Sequence, residues 1–134
     1  MTSLQPQVWV ESEAFVVQPG EDERTNPGRY GLAFSQWIAD QFRAAGVVVQ
    51  DVIPEDFGWC VLLGGHPFRL WVGCGNEDGS TKDWGAFAVA EPSLSQRLFK
   101  RVDTGPALEK TTMQLREFMK RAPGAVRTWE ESIP

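Results

Sequence analysis

The sequence predicts a single α+β domain over residues 1–134. It is expected to be a two-layer sandwich in which an antiparallel meander sheet carries an N-terminal crossover helix and C-terminal helices on one face. Three observations predict it. Apolar residues recur at three-to-four spacing from Tyr30 to Ala45 and again from Leu108 to Ala122, which is the period of helices buried along one stripe. Between them, residues 54–89 read as short β-branched and aromatic runs divided by turn residues. The chain has 134 residues, of which 42% are hydrophobic and 23% charged, an ordinary balance for a chain able to bury a core.

Element by element, Gln7 to Gln18 (QVWVESEAFVVQ) sets Val8 and Val10 on one side and Trp9 and Glu11 on the other, a strand interrupted near Ser12 to Ala14. PGEDERTNPGR is polar and turn-rich, so its Glu21, Asp22 and Glu23 read as a solvated loop. Asn26-Pro27 has the chemistry of a helix start, and Tyr30, Phe34, Trp37, Ile38, Phe42 and Ala45 form the inner stripe of a helix that Gly46 stops. Val47 to Ile53 is extended and ends at Pro54, with Glu55-Asp56 in the turn that follows.

A two-residue Gly64-Gly65 hairpin would set Leu63 opposite His66, Val61 opposite Phe68 and Trp59 opposite Leu70. Pairing Cys74 with Trp84 then gathers Phe57, Trp59, Val61, Phe68, Leu70, Val72, Ala86 and Ala88 on a core face. The opposite face holds Cys60, Leu62, Arg69, Trp71, Phe87 and Val89, with Gly73 beside Gly85, and is too apolar to be simply wet. Either a further layer or a second copy of the chain covers it, the latter making a homodimer through this face, or Trp71 and Phe87 with Arg69 form a docking patch.

After Glu91-Pro92, Ser93 caps a short helix with Leu94, Leu98 and Val102 inward and Arg97, Lys100 and Arg101 outward. Gly105-Pro106 opens the final helix, whose inner stripe is Leu108, Thr112, Leu115, Phe118 or Met119, and Ala122. The remaining AVRTWEESIP is a tail in which Trp129 docks.

The net charge of −5 opposes non-specific nucleic-acid binding, which needs a basic surface, and favours a basic protein partner. MTSLQPQVWVES lacks a basic leader region, and Glu11 and Glu13 break its apolar run, so no secretory signal is expected. No stretch approaches the roughly 18 apolar residues that span a bilayer, so a cytoplasmic protein without membrane contact is expected. Cys60 and Cys74 fall about five strand positions apart on different faces, roughly 16 Å at the strand rise, which predicts free thiols. Cys60, His66 and Cys74 lack a close ligand pair, Asn76 to Asp83 lacks calcium-loop spacing, and no nucleotide or hydrolase motif is present; neither a metal nor a cofactor is expected.

GRYGLAFSQWIADQFRAAGVVVQDVIPEDFGWCVLL, RLWVGCGN and WGAFAVAEP together resemble a group of small bacterial α+β proteins. These share an amphipathic helix ending in Gly, a P-E-D-[FW]-G-W turn and a Trp-rich meander. The resemblance implies the fold and, the group having no assigned activity, transfers no catalytic residue. The functional expectation is a non-enzymatic binding or regulatory protein of the bacterial cytoplasm, such as an immunity-type inhibitor of a basic toxin or effector. Arg69, Trp71, Phe87, Glu55 and Asp56 are its partner-binding residues. The alternative is a small enzyme or ligand-binding domain with a pocket near Glu55, Asp56 and His66.

Overall fold

The computed structural model describes residues 5–99 and 102–132. In chain order the elements are β1 (Gln7–Glu11), α1 (Leu32–Ala44), β2 (Val49–Glu55), β3 (Gly58–Leu63), β4 (Arg69–Asn76), β5 (Asp83–Glu91), α2 (Leu94–Phe99), α3 (Gly105–Lys120) and β6 (Arg127–Glu131). The strands form one antiparallel sheet in the order β2-β3-β4-β5-β1-β6. α1 lies against β2, β3 and β4, and α3 against β5 and β1, on the same face; this is the expected α+β two-layer sandwich.

Strand alternation feeds the core from one side. Val10, Val61, Leu70, Val72 and Trp84 share one core cluster with Phe34, Ile38 and Phe42 of α1 and Leu115, Phe118 and Met119 of α3, and Trp59 is also buried. Phe42 and Phe118 join the two helices edge to face, with ring centroids 4.9 Å apart. The inner stripe of α3 falls where its period places it.

The first helix starts at Leu32 rather than at Pro27. Asn26 instead closes a turn, its carbonyl accepting from Arg29 N–H at 2.8 Å, and its side-chain amide donates to the Asp56 carbonyl at 3.0 Å. The helix N-terminus is satisfied by Glu21, which lies in a short 3-10 turn and is only 5% exposed. Its Oε2 accepts from Gly31 N–H at 3.2 Å and Leu32 N–H at 3.0 Å, while Oε1 accepts from Gln18 N–H at 2.8 Å. The acidic run is therefore not simply a solvated loop: a carboxylate at a helix N-terminus is favoured by the free donors and by the helix dipole. Asp22 likewise accepts from Gly28 N–H at 3.0 Å.

Four further departures have physical causes. Pro54 sits inside β2, because β2 is an edge strand and leaves one row of N–H groups unused. Residues 64–68 make a longer connection than a two-residue hairpin, so Trp59 faces Cys74 instead of Leu70; Cys74 in turn faces Ala86 instead of Trp84. The C-terminal tail is a strand, β6, paired with β1. Leu94 and Leu98 are 70% and 64% exposed, so the stripe of α2 does not reach the core, although Val102 does. The Ser93 cap is present and reciprocal: Gln96 N–H donates to Ser93 Oγ at 3.2 Å and Ser93 N–H to Gln96 Oε1 at 2.8 Å. Lys100 and Arg101 lie outside the described residues.

Replacing Glu21 by Ala strands three backbone donors, and urea unfolding should show a loss of about 2 kcal/mol, with a smaller loss for Glu21→Gln, whose amide oxygen still accepts. Equal stability of Glu21→Ala and the parent protein would refute this role.

Candidate binding surface

α1 and α3 occupy one face of the sheet, and among the described residues no second layer covers the other. Cys60, Leu62, Trp71, Gly73, Phe87 and Val89 alternate onto it, as the sequence predicts. Gly73 lies opposite Phe87, and Gly75, not Gly73, lies opposite Gly85. The two register errors move partners by even numbers of residues, which leaves every side chain on its predicted face.

Phe57 is the exception. It sits in the β2–β3 turn and lies on the uncovered face. Its ring stacks on Trp71 at 6.1 Å and 23° and tilts against Phe87 at 5.6 Å; Trp71 and Phe87 meet edge to face at 5.9 Å. All three residues are half-buried. The cluster is held low because Phe87 lies across Gly73, where a Cβ would collide with the ring. Gly85 plays the same part for Trp9, whose ring atoms would stand 2.9 Å from a Cβ there. Trp9 stacks on Trp129 with centroids 5.8 Å apart and planes 6° apart, so a second aromatic pair continues the face toward β6.

Polar groups rim the first cluster. Trp71 Nε1 donates to Glu91 Oε1 at 2.8 Å, which orients the indole. Arg69 is exposed and faces Glu91 in the β4–β5 register. Glu55, Phe57, Cys60, Arg69, Trp71 and Glu91 line a cleft of about 260 Å³. Of the residues singled out from sequence, Arg69, Trp71, Phe87 and Glu55 thus share one face, and Asp56 is exposed in the adjoining turn. Phe57 and Glu91 were missed: the first because a turn residue escapes strand parity, the second because it enters only in the observed register. Trp9 and Trp129 join the face because β1 pairs with both β5 and β6. The signal for Trp9 was its alternation with Val8 and Val10.

Glu55 and Asp56 are not brought beside His66. Glu55 and Asp56 stand at the start of β3 and His66 beyond its end, separated by roughly 17 Å of strand. His66 stacks on Phe68 at 5.3 Å. Cys60 faces Gly73 rather than Arg69, so Cys74 is a neighbour in the ladder and not far away; the two remain free because they project to opposite faces. Burial pushes the Cys60 thiol up to about 12, the Glu55 carboxylate adding to the rise and Arg69 opposing it. Cys74, wholly buried, is raised well above the ordinary value. Such thiols are poor nucleophiles. Among the described residues no three His, Cys, Asp or Glu side chains converge as metal ligands would, and no helix is long and apolar enough to cross a membrane.

No family model matches the chain, and neither a curated protein nor a solved structure matches it.

Because a raised pKa leaves little thiolate until pH approaches 12, iodoacetamide at neutral pH should label Cys60 only after unfolding. Rapid labelling of the folded protein would contradict the burial. Gly73→Ala should lift the Phe87 ring from the sheet and shift the near-ultraviolet circular dichroism of the aromatic cluster, with a loss of roughly 1–3 kcal/mol. An unchanged spectrum and stability would show that the ring does not depend on the glycine.

Proposed function

We propose that this is a non-enzymatic binding protein of the bacterial cytoplasm that docks a basic protein partner on the uncovered face of its sheet, as an immunity-type inhibitor of a cationic toxin or effector would. The carrying observation is the Phe57, Trp71 and Phe87 cluster, half-buried and without a covering layer among the described residues, beside Glu55 and Glu91. Aromatic residues with an adjacent Arg are the composition of interface centres, and an apolar patch with a polar rim is the usual form of a docking site. The net charge of −5 supports a cationic partner, whose approach it would accelerate, and disfavours nucleic acid. The separation of His66 from Glu55 and Asp56 and the high pKa of Cys60 give the enzyme alternative no assembled catalytic pair.

Capture from the native host should retrieve a basic polypeptide, with binding weakened roughly tenfold or more by Trp71→Ala and weakened by Arg69→Ala. Gln36→Ala, on the exposed side of α1, should leave it unchanged. Retention of the same partner by both face variants would sink the reading. A self-association abolished by Trp71→Ala would replace the basic partner with a second copy.

A further inference from the structure

The two edges of the sheet differ. β2 is interrupted by Pro54 and by a register shift between Val49 and Asp51, both of which obstruct pairing with another strand. β6 carries neither: it pairs in continuous register with β1 over all five residues, and among the described residues no strand lies on its other side. Its sequence is RTWEE. Antiparallel pairing of this strand with itself around Trp129 sets Arg127 opposite Glu131, Thr128 opposite Glu130 and Trp129 opposite Trp129. That register opposes no two like charges. Centring it one residue later would face Glu130 with Glu130, and one residue earlier would take Glu131 out of reach of Arg127.

We infer that β6 is a homodimerisation edge, joining two copies of the chain across a two-fold axis at Trp129 into one continuous sheet. Arg127 already bonds Glu11 on β1 at 2.9 Å and lies over the Trp129 ring at 4.1 Å. Glu131 of the second copy completes a carboxylate, guanidinium, carboxylate ladder across the junction. On the other face Glu130 is neutralised by a bidentate contact with Arg116, at 2.9 and 3.0 Å, so it meets Thr128 without an unpaired charge. The Trp9–Trp129 stack continues into its symmetric copy, and the half-exposed Trp129 gains a cross-strand aromatic neighbour. This interface uses the edge and not the Phe57, Trp71, Phe87 cluster, so either assignment can fail while the other stands.

Sedimentation equilibrium over a concentration series should show a monomer–dimer equilibrium for the parent chain. Glu131→Arg and Arg127→Glu each place like charges at both symmetric junctions and should each weaken it roughly tenfold. Mixing the two variants should restore association, because in the mixed pair each junction again sets a cation against a carboxylate; that rescue separates charge matching from misfolding. Trp71→Ala should leave the dimer intact. A parent chain monomeric throughout, single variants that dimerise as the parent does, or a mixture that stays monomeric would each overturn the proposal, as would a dimer broken by Trp71→Ala alone.

Discussion

Side-chain alternation along a sheet that carries α1 and α3 on one face is the constraint on which the remaining structure depends. Alternate residues of each strand are directed toward α1 and α3, and whatever occupies the intervening positions is then committed to the other side. In β4 this sends Leu70, Val72 and Cys74 inward and Arg69 and Trp71 outward; in β5 it sends Trp84, Ala86 and Ala88 inward and Phe87 and Val89 outward. Small inward residues on β5 give α3 room against the sheet. The outer face inherits large rings, of which Phe87 lies across Gly73 and Trp9 across Gly85. Core packing and the aromatic surface are thus two consequences of one register.

That dependence explains what could be read directly from the chain. The helix stripes and the faces of β3, β4 and β5 follow from periodicity, and periodicity survives the misplacement of a turn when the error is even. Trp59 against Leu70 and Trp59 against Cys74 differ by four positions, yet both put the indole in the core. Positions outside regular alternation are where sequence reasoning fails. Phe57 belongs to a turn, and its direction is set by the chain reversal between Glu55 and Gly58 rather than by the period of either strand. Leu94 and Leu98 have helical spacing, but in a six-residue helix the spacing alone does not bring them to the core.

The remaining omissions are long-range. Glu21 caps a helix that begins eleven residues later, and nothing local distinguishes it from Glu23, which is exposed. β6 is invisible as a strand because its Arg and Glu residues have no apolar alternation; it forms because β1 offers a free edge, with Glu11 placed to meet Arg127 and Trp9 to meet Trp129. Trp9 was assigned to the correct side of β1, but only this pairing reveals that its ring floors the far end of the outer face.

The organisation of the outer cluster bears on what it is for. A scattered set of exposed rings would need no explanation, since apolar atoms contribute much of any protein surface. Here Phe57, Trp71 and Phe87 pack on one another, Trp71 is fixed by Glu91, and Phe87 depends on a residue without a side chain beneath it. Rings held in this way lose little further freedom when covered, so most of the area they bury on association appears as affinity rather than being offset by ordering. A cluster serving only the stability of the sheet would have gained more from a covering layer, which the sequence does not provide among the described residues. The preorganised, incompletely buried state suits the proposed docking surface: apolar enough to gain from contact, rigid enough to keep its shape alone, and bordered by Glu55, Arg69 and Glu91, which would specify what approaches.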